Sequence, residues 1–157
     1  MQPGDFGVVR TTGFVAWAIC VLTRSPWNHA YGYLGNGMIV EAQPRGAKIS
    51  PLSKYDGRPQ LRSQLLLDPA RAIKTTRAYR DQVGIEYGFF DVAAIGLSTV
   101  GIVTSKLTDD DSVFCSQLVA IGLRKGGVEL GTDKRSNRFT PGDLADIILK
   151  QPVPENW

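Results

Sequence analysis

The stretch "WNHAYGYLGNGMIVEA", residues 27–42, holds the sole histidine of the chain, His29, and carries a carboxylate, Glu41, beyond a glycine-rich turn. β-branched and aromatic residues flank Gly35, Asn36 and Gly37, a pattern that predicts an antiparallel hairpin. Its register decides what the two side chains can do together. A three-residue loop of Gly35, Asn36 and Gly37, with Gly37 in the left-handed position of a bulge, sets Leu34 opposite Met38 and His29 opposite Gln43. Side chains alternate between faces, so Glu41 then becomes the diagonal neighbour of His29, about 7 Å away between Cα atoms. A two-residue loop would turn them to opposite faces.

Working outward, "FGVVR" (6–10) predicts a short strand, and 13–23 offers Phe14, Trp17, Ala18, Ile19 and Leu22 at helical spacing before "RSP" stops it. This helix is expected to be buried, with Cys20 a small apolar core residue. Beyond the hairpin, 48–61 is rich in turn formers and is expected to wrap the surface, with a strand near 63–67. Asp68 caps a helix that begins at Pro69 and runs to about Val83, where Gly84 ends it. A further helix is expected over 90–103 despite Gly96 and Gly101, and "TPGDLADIIL" (140–149) supplies a threonine cap, Pro141 in the first helical position and Asp143 in the first turn. No internal repeat is visible. With 157 residues, 43% hydrophobic and 21% charged, the chain is large enough for one core, and the whole of 1–157 reads as a single α+β domain.

Several function classes drop out on composition. A net charge of +3 is weak support for a nucleic-acid partner, and the basic cluster from Arg58 to Arg80 reads as a solvated helix face. The longest apolar runs, 14–22 and 91–103, fall short of the roughly 20 residues that span a bilayer, so no transmembrane segment is expected. The first residues lack a charged leader followed by an apolar run, which predicts a cytoplasmic protein. One histidine and two distant cysteines, Cys20 and Cys115, give neither a disulfide framework nor a tetrahedral zinc site, and "TDDDS" (108–112) lacks the spacing of a calcium loop. "GLSTVG" (96–101) is not a nucleophile elbow, "GNG" (35–37) is no dinucleotide fingerprint and "LRKGG" (123–127) no phosphate loop. Neither metal nor cofactor is expected.

What remains is thiol chemistry. In "DDDSVFCSQLVAIGLRKGG" (109–127), Asp111 or Ser112 is a natural N-cap, an apolar helical pattern follows, and Gly126 and Gly127 end it. Cys115 falls in the first turn, where unpaired N–H groups and the helix dipole favour a thiolate. The nearby aspartates oppose that effect, so an imidazolium is needed to complete the activation, and His29 alone can supply it. A thiol hydrolase needs a nucleophile, a base and a group that orients the base; Cys115, His29 and Glu41 can fill these roles if the hairpin packs against the helix start. Spacing alone leaves open the plainer reading of a strand histidine and a core thiol.

The order of these pieces resembles a known family, the circularly permuted papain-like hydrolases related to the NlpC-like cell-wall peptidases and represented by YiiX-like proteins. "QPGDFGVVR" (2–10) is similar to that family's opening strand, "LTRSPWNHAYGYLGNGMIVEA" (22–42) to its histidine and acidic strands, and "SPLSKY" (50–55) to the segment that follows. "VGIEYGFFD" (83–91), "VFCSQLV" (113–119) and "RFTPGDL" (138–144) resemble its later loop, its cysteine helix and its closing motif, in the same order. The resemblance implies a papain-like α+β fold, with a central antiparallel sheet or small barrel packed against helices. It implies Cys115 as nucleophile, His29 as base and Glu41 as orienting acid of an amidase or peptidase acting on a peptide, such as a cell-wall fragment. Phe114 and Gln117 depart from the tyrosine and glutamate common at their positions. Lipid acyl transfer, as in lecithin retinol acyltransferase-like proteins, is an alternative within the same chemistry, and an inactive peptide- or partner-binding module is an alternative outside it.

Overall fold

A computed structural model of the chain describes residues 1–43, 46–85 and 114–151. The chain forms β1 (Phe6–Val9), α1 (Phe14–Thr23), β2 (His29–Gly35), β3 (Met38–Gln43), β4 (Gly46–Pro51), a 3-10 turn (Leu52–Tyr55) and β5 (Gln60–Arg62). Then follow α2 (Pro69–Arg80), α3 (Phe114–Lys125), a second 3-10 turn (Ser136–Arg138) and α4 (Pro141–Leu149). The architecture is α+β: an open five-stranded antiparallel sheet in the order β4-β3-β2-β1-β5, with helices packed against it. The sheet does not close into a barrel among the described residues.

Strand β1 has every residue buried, because it lies between β2 and β5 with side chains packed on both faces. On one face Phe6, Val8, Ala30, Leu34 and Val40 meet Tyr79 of α2, Leu118 and Leu123 of α3, and Leu144 of α4. The other face carries a smaller cluster of Val9, Tyr31, Ile39 and Tyr55. Two glycines set how closely the helices approach the first face. A Cβ on Gly32 of β2 would lie 2.7 Å from the ring of Tyr79, and one on Gly122 of α3 would lie 2.1 Å from it. One aromatic ring therefore bridges α2, α3 and β2, and only glycine leaves room for it.

The hairpin corrects the expected turn. Its loop is two residues, Asn36 and Gly37, between the paired Gly35 and Met38. Both loop residues have positive φ, 52° and 72°, as a type I′ turn requires. Leu34 does not face Met38; it is the extra residue of a bulge between Tyr33 and Gly35, with Gly35 at φ 98°. The bulge shifts pairing by one residue, so Gly32 opposes Val40 and Tyr33 opposes Ile39, the offset of the longer loop. His29 and Glu41 share a face after all, by a different turn than expected.

Other elements differ in instructive ways. The segment 48–61 does more than wrap the surface: β4 pairs with β3 from Met38–Pro51 to Gln43–Gly46, and β5 adds to β1. The strand expected at 63–67 lies instead at Gln60–Arg62. Beyond it Ser63 and Leu65 turn toward the Asp5 carboxylate, with the Leu65 N–H donating to Oδ1 at 2.9 Å, and Leu66 takes φ 49°, outside any strand. Helix α2 starts where expected, with Asp68 accepting from the Arg71 N–H at 3.0 Å, but ends at Arg80. Helix α3 ends before Gly126 and Gly127, and α4 has a complete capping box between Thr140 and Asp143. Helix α1 forms but is not buried: Phe14, Trp17 and Val21 are exposed. Cys20 is only half-buried, its sulfur accepting from the Asn28 side-chain amide at 3.4 Å rather than packing in the core. The helix expected at 90–103, the N-cap at Asp111 or Ser112 and the acidic run 108–112 lie outside the described residues.

Candidate active site

Strand β3 carries Glu41 into the interior, where it is 0% exposed. A carboxylate there is tolerated only if donors replace its water. Four do so. His29 Nε2 lies 2.9 Å from Oε2, and the Tyr55 hydroxyl donates to the same oxygen at 2.5 Å. Lys54 Nζ and Gln43 Nε2 donate to Oε1 at 2.6 and 2.9 Å. Burial alone would raise the carboxyl pKa, but the bonds from His29, Lys54 and Tyr55 outweigh it and hold Glu41 far below the ordinary carboxyl range. Glu41 is a fixed anion at every physiological pH.

His29 opens β2, and its ring stands beside that of Tyr55 with centroids 5.8 Å apart. Tyr55 in turn stacks on Tyr31 at 5.8 Å and an interplanar angle of 15°. The phenol stays protonated because burial and the Glu41 charge both raise its pKa far above the usual phenol range, so it remains a donor to the carboxylate. With Nε2 committed to Glu41, Nδ1 is the ring nitrogen left for a second partner.

That partner is Cys115, the second residue of α3, close enough to His29 for each to shift the pKa of the other. Burial would suppress the thiolate. The hydrogen bond and charge of His29, with backbone N–H groups of Ala30 and Ser116 directed at the sulfur, outweigh it and lower the thiol pKa from 9.0. His29 shows the reciprocal effect: burial would lower its pKa, yet the bonds and charges of Cys115 and Glu41 push it from 6.5 up to about 9. Both shifts favour the same form of the pair, thiolate and imidazolium, with Glu41 behind the imidazolium. Such a pair can attack a carbonyl carbon and deliver a proton to the leaving group.

The three residues singled out by spacing are thus brought together: Cys115 on a helix start, His29 at a strand end and Glu41 on the neighbouring strand. Gln43, Lys54 and Tyr55 were not singled out. The signal for them was chemical rather than periodic, since a carboxylate read onto a buried strand face must have several donors, and "SKY" (53–55) offers two soon after β4. Phe114 lies in α3 immediately before Cys115, where the resemblance leads one to expect a tyrosine. Among the described residues, no three His, Cys, Asp or Glu side chains gather as ligands for a metal ion, and no helix is long and apolar enough to cross a membrane. No protein-family model and no curated protein matches the chain.

Proposed function

We propose that this protein is a cysteine hydrolase, an amidase or peptidase, of papain-like fold in the permuted order in which histidine and acid precede the nucleophile. One observation carries the reading: a buried, four-donor carboxylate holds an imidazole that stands beside a helix-start thiol. The Cys115 thiolate attacks the amide carbonyl, and the His29 imidazolium protonates the departing nitrogen as the C–N bond breaks, leaving a thioester. Water then attacks the thioester while His29 takes its proton, and the Cys115 thiolate leaves as the carboxylic acid is released. N–H groups of the first turn of α3, that of Cys115 among them, donate hydrogen bonds to the developing oxyanion. A peptide substrate, such as a cell-wall fragment, follows from the family resemblance and not from the site.

Iodoacetamide labelling near pH 6 tests the chemistry before any substrate is known. Cys115 should alkylate much faster than Cys20, and Cys115→Ala should abolish both that labelling and any peptide hydrolysis. Equal, slow labelling of both thiols would sink the hydrolase and leave an inactive peptide- or partner-binding module. Acyl transfer from a lipid ester is a second reading, favoured by the exposed Phe14, Trp17 and Val21 of α1. Transfer to an amine from a panel of lipid esters, with no cleavage of peptides, would select it.

A further inference from the structure

Helix α1 presents an apolar surface to water rather than to the core. Phe14, Trp17 and Val21, at positions i, i+3 and i+7, are 63%, 58% and 52% exposed, whereas Ala16 and Ala18 on the inner side are buried. The rings of Phe14 and Trp17 lie 5.8 Å apart and form one patch, with Val21 one turn further along the same face. No charged side chain interrupts the helix, "FVAWAICVLT" (14–23), while exposed Arg10 and Arg24 stand just before and just after it. From Phe6 to Val40 there is no acidic residue at all.

These features select among occupants. A second copy docking through the same patch would bring its arginines toward the same arginines, with no carboxylate in the segment to separate them. An anionic bilayer surface offers the opposite: acyl chains for an aromatic and aliphatic face, and phosphates for the arginines at either end. We propose that α1 is a docking surface for anionic phospholipid membranes. Phe14, Trp17 and Val21 enter the boundary between headgroups and acyl chains, and Arg10 and Arg24 meet lipid phosphates. The inner side of the helix is tied to the residues that lead into β2: Asn28 Oδ1 accepts from the Thr11 N–H at 2.8 Å, its amide donates to the Cys20 sulfur, and the Ser25 N–H donates to the Cys20 carbonyl at 3.1 Å. Docking would hold His29, the next residue, near the membrane surface without inserting the domain. The assignment rests on α1 alone and is independent of the chemistry proposed for Cys115.

Co-sedimentation of the full chain with vesicles tests it, comparing pure phosphatidylcholine with a mixture of phosphatidylcholine and phosphatidylglycerol, each at low and high salt. Binding is expected on the mixed vesicles, and it should weaken with salt. The double substitution Phe14→Ser with Trp17→Ser should lower the partition coefficient about tenfold or more. Arg10→Gln with Arg24→Gln should remove most of the preference for anionic vesicles. Circular dichroism and the Cys115 labelling rate at pH 6 should be unchanged in both variants, which separates loss of docking from loss of fold. Failure of the native chain to sediment with anionic vesicles at low salt overturns the proposal, as does undiminished binding by the Phe14/Trp17 variant. Sedimentation velocity showing a dimer that the Phe14/Trp17 variant dissolves, with no vesicle binding, assigns the face to a second copy and also overturns it.

Discussion

Glu41 makes the site sensitive to single atoms. Its carboxylate is buried and fully ionised, so each donor that satisfies it contributes to stability, and each can be removed without disturbing the backbone. Tyr55→Phe deletes only the hydroxyl that donates at 2.5 Å; leaving a buried carboxylate one bond short should destabilise the fold by about 1–3 kcal/mol, read by urea denaturation. Glu41→Gln keeps the shape and removes the charge behind the imidazolium. The His29 pKa should fall and that of Cys115 rise, so labelling of Cys115 at pH 6 should slow by about tenfold or more, with each unit of pKa worth about 1.4 kcal/mol. An unchanged rate would show that Cys115 does not depend on the carboxylate. Cys115, His29 and Glu41 were legible as candidates because histidine and cysteine are scarce in this chain, one and two respectively, and a carboxylate stands at matching parity on a predicted strand. Lys54 and Tyr55 were not, because the property that selects them is the unmet hydrogen-bonding capacity of a residue in another strand.

Among the elements, Tyr79 couples α2 to both α3 and β2. Its ring lies against Gly32 in β2 and Gly122 in α3, the strand and helix that bear His29 and Cys115. Gly122→Ala adds one methyl group where a Cβ would be 2.1 Å from that ring, so α3 or α2 must shift. The expected cost is about 1–3 kcal/mol in the urea midpoint, with slower Cys115 labelling even though the methyl group touches neither site residue. Labelling at the native rate would mean that α3 holds its position by other contacts. Helix existence was legible at this scale because capping and periodicity are local: Asp68 with Pro69, and Thr140 with Asp143, act within one turn of themselves. Strand edges and the hairpin turn were less so. The bulge at Leu34 places that side chain in the helix-covered core while the ladder keeps Glu41 on the face of His29, and this compromise depends on helices far away in sequence.

At the scale of the whole molecule, the site writes itself into the pH dependence of folding. His29 rises from 6.5 to about 9, so taken alone its stabilisation is present below pH 6.5 and is lost as pH climbs through 9. Cys115 falls from 9.0, so its stabilisation is present above that value and is lost as pH drops through its folded value. Between 6.5 and 9 the two effects oppose each other, because the folded imidazole keeps a proton that the unfolded one has lost while the folded thiol gives up one that the unfolded thiol keeps. As pH falls through the folded value of Cys115, the thiolate takes up a proton that the unfolded thiol already holds, so acid removes this stabilisation. The native melting temperature should therefore drop more steeply with acid than that of Cys115→Ala, which has no thiolate to protonate; parallel curves would argue against an ion pair. By itself the sequence determined α2 and α4 with their N-caps, the presence of the hairpin and the short list of reactive side chains, since each depends on neighbours within a turn or two of chain. Only the tertiary structure decided the sheet order, the bulge that rescued the shared face, the donors around Glu41 and the exposure of α1. These follow from which distant surfaces bury one another, and burial is a property of the assembled molecule that no local stretch of chain carries.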